Sequence, residues 1–143
     1  MTWLLDTNAL IHAQRGRPPA VRVHLQSCSP EDIAISAISI AELWYGAAKH
    51  ADPAGKRELW KQYLEPYAMY PFDRSAAEIH GDLRFRLRHY PIGDRDLLIA
   101  AIALANDSTL VTNNTREFER VPVLRVEDWT VPPPTTESEA DNA

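Results

Sequence analysis

Three acidic residues stand apart in this sequence because each adjoins an apolar segment. Asp6 follows Trp3-Leu4-Leu5, Glu42 is the lone charge of residues 37–48, and Asp96 immediately precedes the apolar run 97–105. Buried carboxylates are rare unless they are paired or bound to a cation. If the three acids converged, a hard cation would offset their repulsion, and Mg²⁺ or Mn²⁺ would suit because both prefer oxygen ligands.

Each acid also has an ordinary structural explanation, which the sequence leaves open. Asp6 or Thr7 can cap the following helix, as these residue types often do. Glu42 can face solvent. Asp94 as an N-cap and Asp96 as a partner of the helix dipole both suit a first helical turn. The combination of acids on three separate elements is what favours a functional site.

Histidine and cysteine do not compete for this role. The five histidines lack the spacing of metal ligands, and the single cysteine, Cys28, excludes a disulfide framework and a cysteine-based zinc site. His80, Arg84 and Arg88 have the i, i+4, i+8 spacing of one helical face. Such a row is more often solvated, but it can also contact phosphates.

The elements that position the acids alternate between strands and helices. Strands are predicted over 2–5, 32–36, 69–72, 109–112 and 123–126, and helices over 8–15, 18–27, 38–49, 53–67, 74–89 and 94–106. This alternation predicts a parallel α/β sheet with right-handed crossovers. Ligands bind at the carboxyl ends of strands in such sheets, and Asp6 lies at such an end.

The 143 residues, 45% of them hydrophobic, fit one domain, which we place at 1–129. Residues 130–143 are rich in proline and acids, which predicts a disordered tail. The longest apolar run, 97–105, is too short to cross a bilayer and the N-terminus lacks a signal-peptide core, so we expect a cytoplasmic protein. The net charge of −5 leaves nucleic acids open as partners, because acids concentrate in the tail and the candidate site.

Four short segments carry most of the candidate chemistry. They are Leu4-Leu-Asp6-Thr-Asn8, Ser39-Ile-Ala-Glu42-Leu-Trp-Tyr-Gly46, Ile92-Gly-Asp-Arg-Asp96-Leu-Leu-Ile-Ala-Ala101 and Leu110-Val-Thr112-Asn-Asn114-Thr-Arg-Glu117-Phe118. In order and spacing they resemble the motifs of PIN-domain ribonucleases, and more narrowly of VapC-type toxins of bacterial toxin–antitoxin modules. The resemblance spans residues 3–129. It implies a three-layer α/β/α fold whose central, mainly parallel sheet has about five short strands surrounded by helices.

The resemblance assigns the catalytic and metal-binding roles to Asp6, Glu42 and Asp96, with Mg²⁺ or Mn²⁺ as the cofactor. The family commonly has a fourth acid two residues after the threonine of the last motif, where this chain has Asn114. Glu117 is the nearest substitute, and Asn114 could still hold a metal-bound water. This departure makes the number of metals an open question.

Three further residues receive supporting roles from the resemblance. Asp94 is an additional acid whose expected role is helix capping. Thr7 and Thr112 are expected to orient water or the acids.

The resemblance also implies an activity and partners. We expect a metal-dependent endoribonuclease toxin that cleaves RNA, with transfer RNA among the candidate substrates. We also expect a VapB-like antitoxin that neutralises it. A homodimer or a larger toxin–antitoxin complex is expected. The candidates for RNA backbone contacts are Arg84, Arg88, Arg95 and Arg116. The aromatic residues that could line an antitoxin groove, or belong to the core, are Trp44, Tyr45, Trp60, Tyr63 and Tyr67.

Two other functions remain open at this point. The chain could be a non-catalytic RNA- or protein-binding module that keeps only the fold. It could also be a phosphatase with Asp6 as its nucleophile, although such enzymes need a second acid two residues later and Asn8 occupies that place.

Overall fold

The computed structural model describes residues 1–132, and a parallel five-stranded sheet forms its centre. The strands are β1 (Trp3–Leu5), β2 (Ile33–Ser36), β3 (Ala68–Tyr70), β4 (Thr109–Val111) and β5 (Val126–Glu127). Their spatial order is β3-β2-β1-β4-β5, and each neighbouring pair is parallel. The order reverses at β1, so the carboxyl ends of β1 and β4 form the crevice where such sheets bind ligands.

Helices cover both faces of the sheet. They are α1 (Thr7–Arg15), α2 (Pro19–Gln26), α3 (Ala37–Ala48), α4 (Pro53–Leu64), α5 (Arg74–Arg86), α6 (Asp94–Ala105) and α7 (Thr115–Phe118). Leu4 of β1 packs in a core with α5, α6 and α7, whereas Leu5 packs in a second core with α1, α2, α3 and α4. Alternate strand residues point to opposite faces, so β1 contributes to both cores. The predicted three-layer α/β/α architecture is confirmed.

The predicted apolar helix is confirmed as α6. Its side chains from Ile99 to Ala103 are almost completely buried. A helix that is apolar on several sides must be covered on those sides, so α6 is packed between its neighbours. This packing holds the first turn of α6, with Asp96, in a fixed position. Within residues 1–132 no helix combines the length and apolar character needed to span a membrane.

Three predicted boundaries differ from the structure by three residues, and the other boundaries differ by two residues or fewer. The last strand is Val126–Glu127 and not 123–126, because Val123 has a φ of 63° and is 89% exposed. Helix α4 ends at Leu64, three residues before the predicted end at residue 67. Helix α5 ends at Arg86 and not at residue 89. Arg88 therefore lies outside the helix that carries His80 and Arg84, and the predicted row of three residues on one helical face is not formed.

The aromatic residues of α3, of α4 and of the turn after α4 belong mostly to the core. Trp60 is buried and makes an edge contact with Tyr63. Tyr67 packs partly buried against the same core, as does Trp44. Tyr45 is the exception, since it is 64% exposed and Lys49 lies over its ring.

The segment after β5 packs against β1. The indole nitrogens of Trp3 and Trp129 both donate to Glu127 Oε2, at 2.9 and 3.0 Å. Trp129 is buried, and His24 stacks on its ring. The described chain is therefore ordered through this segment, whereas the predicted tail falls largely on residues 133–143, outside the described residues, and stays a prediction.

Gly16 ends α1 in a conformation that other residues adopt at a cost, with a φ of 74°. A Cβ there would lie 2.7 Å from Arg22 Nη1, whose guanidinium donates to the carbonyls of Ala13 and Gln14. We expect Gly16→Ala to lower the free energy of unfolding by about 1–2 kcal/mol, the cost of a left-handed non-glycine residue. Urea denaturation would measure it.

The matched control for this substitution is Gly81→Ala in the middle of α5, where nothing lies within 4 Å of an added Cβ. There the same change should stabilise the protein by about 0.5–1 kcal/mol, because alanine loses less backbone entropy in a helix. Effects of the same sign at both glycines would contradict the prediction.

Candidate active site

Asp6 lies at the carboxyl end of β1 and is 6% exposed. Its Oδ1 accepts a hydrogen bond of 2.8 Å from Ala9 N, so the residue is the N-cap of α1. The capping explanation is therefore correct, but it occupies one oxygen only. The backbone N–H of Asp6 donates to the carbonyl of Val111 in the neighbouring β4 at 3.0 Å, and Thr112, the residue directly after β4, lies beside the Asp6 carboxyl. Asp6 is thus fixed between two strand ends, at the reversal of strand order.

Glu42 lies half-buried on α3, facing α1. The Thr7 hydroxyl donates to Glu42 Oε1 at 2.9 Å and lies 3.0 Å from Ser39 Oγ. Ser39 is fully buried and close to Ser36, the N-cap of α3. This hydroxyl network orients the Glu42 carboxylate toward the same edge of the sheet as Asp6.

Asp96 lies in the first turn of α6, next to the carboxyl group of Glu117 on α7. Asn114 holds Glu117 in place, since its Nδ2 donates to Glu117 Oε2 at 2.8 Å. The backbone N–H of Asn114 in turn donates to Thr112 Oγ1 at 3.0 Å. Glu117 therefore supplies a fourth carboxylate at this edge, and the amide of Asn114 positions it.

The pKa values reflect this convergence. Burial raises the pKa of the Asp6 carboxyl, and the negative charge of Glu42 adds to the effect. Burial also raises the pKa of Asp96, followed by the adjacent Glu117 and then by the charges of Asp6 and Glu42, to about 6. Like charges within a few ångströms disfavour ionisation in this way. The carboxylates of Asp6, at the N-cap of α1, and of Glu42, Asp96 and Glu117, on α3, α6 and α7, thus share one electrostatic environment.

The donor set fits a hard divalent cation by its chemistry. Asp6, Glu42, Asp96 and Glu117 offer only oxygen, and a cation would offset both the burial and the neighbouring negative charges that raise the pKa of Asp96. These side chains are not yet arranged as a complete metal site, because within residues 1–132 no group of three acidic, histidine or cysteine side chains is placed to hold a metal ion. One oxygen of Glu42 faces Arg95 instead, with 3.4 Å between Oε2 and Nη1.

Asp94 does not cap α6, which corrects the prediction. The N-cap is Gly93, in an extended conformation and without a side-chain hydrogen bond, and Asp94 is the first residue of the helix. Asp94 is exposed and lines, with Glu42, Gly93, Arg95 and Asp96, a cavity of about 480 Å³. The helix begins one residue earlier than a capping Asp94 requires, so this acid stabilises α6 through the helix dipole and not as a cap.

The arginines predicted to contact RNA are distributed unequally. Arg84 and Arg116 are exposed on α5 and α7. Arg88 lies over the Phe85 ring and donates to its carbonyl, so it caps α5. Arg95 is the candidate that the structure brings to the acids. Sequence reasoning missed this contact with Glu42, and also the Ser36–Ser39 support of Thr7, because both depend on how α3 packs against its neighbours.

The raised pKa of Asp96 predicts a pH dependence of stability in the presence of EDTA. Between its ordinary value of 3.8 and about 6 the folded protein binds more protons at this site than the unfolded chain, so the carboxyl destabilises the fold as pH rises through this range. The Asp96→Asn variant lacks this penalty. Its advantage in melting temperature over the wild type should grow from pH 4 to pH 6 and then stay constant, and an advantage independent of pH would contradict the assignment.

Comparisons with known proteins find similar sequences over most of the chain. The family model described as PIN domain matches residues 3–124. Ribonuclease VapC2 of Rickettsia felis is 36% identical over 132 residues, which cover 90% of this chain and 98% of the relative. The tRNA(fMet)-specific endonuclease VapC of Salmonella typhimurium is 33% identical over 131 residues, with the same two coverages.

Solved structures are similar as well. VapBC2 from Rickettsia felis, bound to a DNA fragment from its promoter, contains a chain with a TM-score of 0.82 and 35% identity, covering 90% of this chain and 99% of that one. VapBC-1 from nontypeable Haemophilus influenzae gives a TM-score of 0.83 at 29% identity, covering 92% and 100%. Both the sequence and the backbone are similar over the whole region that carries the acids.

Proposed function

This chain belongs to the PIN domain family, and we propose that it is the ribonuclease toxin of a VapBC-type toxin–antitoxin module, hydrolysing RNA with the help of Mg²⁺ or Mn²⁺. The observation that carries the proposal is the convergence of Asp6, Glu42 and Asp96 at the carboxyl edge of the sheet. Its relatives are named ribonucleases and endonucleases, and they match over nearly their whole length.

The cation would be held by Asp6, Glu42 and Asp96, with Glu117 as the fourth carboxylate. When bound, such a cation lowers the pKa of water and stabilises negative charge on a phosphoryl oxygen. Thr7 orients Glu42 through the 2.9 Å hydrogen bond, and Asn114 orients Glu117 through the 2.8 Å one. Removing a residue that orients a metal ligand in this way typically lowers metal affinity or activity by about 10–100-fold.

The substrate and partners follow from the relatives. A relative is named a tRNA(fMet)-specific endonuclease, so we propose transfer RNA as the substrate class of this chain. The similar solved structures are complexes of VapB with VapC, which supports a VapB-like antitoxin as the partner. We further propose a homodimer that assembles with this antitoxin, and action in the cytoplasm, where the substrate is.

The test is cleavage of bacterial RNA by the purified chain, free of antitoxin, with Mg²⁺ or Mn²⁺ and with EDTA. We expect discrete new 5′ ends that appear only with a divalent cation and that map to transfer RNA. Cleavage that persists in EDTA would overturn the role of the cation. A folded protein that binds RNA without cutting it would instead favour a non-catalytic module with a PIN fold.

A further inference from the structure

Arg95 is a cation placed among the acids of the active site. It is the second residue of α6, between Asp94 and Asp96, and its Nη1 lies 3.4 Å from Glu42 Oε2 across the gap to α3. Its side chain is 69% exposed and lines the cavity of about 480 Å³ at the site. The guanidinium is therefore accessible from solvent at the point where a substrate would enter.

The contacts of Arg95 differ from those of arginines that stabilise the fold. Arg22 donates to two carbonyls of α1, at 3.0 and 2.7 Å, and Arg125 donates to both the carbonyl and the carboxylate of Asp107. Within residues 1–132, the side chain of Arg95 makes one hydrogen bond, the long one to Glu42. Since a guanidinium carries five N–H donors, most of its hydrogen-bonding capacity is available to a ligand.

The charge of the site creates a need for such a group. An RNA phosphate that approaches the cavity meets the carboxylates of Glu42, Asp94 and Asp96, which line it, and Asp6 and Glu117 lie near enough for their charges to act on Asp96. These repel a phosphodiester, and a planar guanidinium matches two phosphate oxygens better than a single ammonium does.

We propose that Arg95 binds a backbone phosphate of the RNA in this cavity, leaving Glu42 for the phosphate oxygens when substrate enters. The inference rests on the proposed function and assigns one arginine to the phosphate at the reacting centre. The competing explanation is that Arg95 only neutralises Glu42. In that case its removal would free Glu42 and raise the affinity for the cation, with no effect on RNA.

The first experiment measures RNA binding without cleavage. In an Asp96→Asn background with EDTA, filter binding of labelled bulk transfer RNA is measured over a series of salt concentrations. Losing one phosphate contact should reduce the slope of log K against log salt by about 0.7–0.9, so Arg95→Gln should show this reduction together with weaker binding. Arg95→Lys should keep the slope but bind more weakly than arginine, because it keeps the charge and loses the fork.

The matched control is Arg74→Gln. Arg74 is also an exposed arginine paired with one glutamate, Glu78, but it lies at the start of α5. This variant should leave slope and affinity unchanged. An Arg95→Gln variant that behaves like Arg74→Gln, or that only gains Mg²⁺ affinity in a direct titration, would overturn the inference.

The second experiment separates this inference from the proposed function. The same substitutions are made in the wild-type chain, and cleavage is followed with Mg²⁺, where Arg95→Gln should lower kcat/KM at least about 10-fold. If the wild type cleaves RNA and Arg95→Gln cleaves it equally well, the inference alone fails. If the wild type binds RNA without cutting it and the salt slope still falls with Arg95→Gln, the proposed function fails and Arg95 remains a phosphate contact.

Discussion

Replacing Asp6 by asparagine should abolish RNA cleavage and leave the fold intact. The amide keeps an oxygen that can accept from Ala9 N, and asparagine caps helices about as well as aspartate. The change removes the negative charge at the centre of the acids. Because losing only a partner of a metal ligand costs about 10–100-fold, losing the ligand itself should cost more than about 100-fold in cleavage rate. The measurement is the single-turnover rate with Mg²⁺, beside a thermal melt.

The matched control is Asp73→Asn. Asp73 caps α5 as Asp6 caps α1, with its Oδ1 accepting from Ala76 N at 3.0 Å, but it lies outside the acidic site. The same change of charge and cap there should leave cleavage unchanged. Asp6→Ala should differ from Asp6→Asn in stability, because it also loses the cap, worth about 0.5–2 kcal/mol. Near wild-type cleavage by folded Asp6→Asn protein would refute the assigned role.

Truncating Phe118 to alanine should cause a large loss of stability, greater than the loss expected for Gly16→Ala. Phe118 ends α7, is 1% exposed and packs in the core beside α6. Removing a buried phenyl ring costs about 3–5 kcal/mol, through lost burial and the cavity left behind. Urea denaturation would measure this loss. Because the neighbouring residue is Glu117, cleavage should fall as well, even where the variant remains folded.

Phe85→Ala is the control for Phe118→Ala, since Phe85 is 67% exposed on α5. The same truncation there removes little buried surface and should change stability by less than about 0.5 kcal/mol, as surface substitutions usually do. If the two variants had equal midpoints in urea, Phe118 would not anchor α7 to the core.

Much of the fold could be predicted from the sequence because its central elements are strongly apolar. The strands β1 and β4 and the helix α6 lie in the core, and their continuous apolar runs indicate burial on several sides. Elements at the periphery of the fold were harder to predict from the sequence. Helix α7 has four residues and β5 has two, too few to show a period, so α7 was missed and β5 was misplaced.

The acids themselves were predicted, whereas their neighbours were not. Asp6, Glu42 and Asp96 each adjoin an apolar segment, which makes them candidates, and the resemblance to PIN-domain ribonucleases assigned their roles. The contact between Glu42 and Arg95 joins residues 53 positions apart and depends on the packing of α3 against α6. The wrong cap assignment at Asp94 has a simpler reason: the N-cap of α6 is Gly93, one residue before Asp94.

The position of β1 bears on the order in which the protein assembles. It is the first strand along the chain and the middle strand of the sheet, and it pairs with β4 only once residues 109–111 are available. Pairings between such distant residues form late, because a long loop must first close. During synthesis, the site around the amino-terminal Asp6 can therefore form only after Asp96 and Thr112 have left the ribosome. A nascent chain that is still short of these residues carries an acid of the nuclease but no nuclease site.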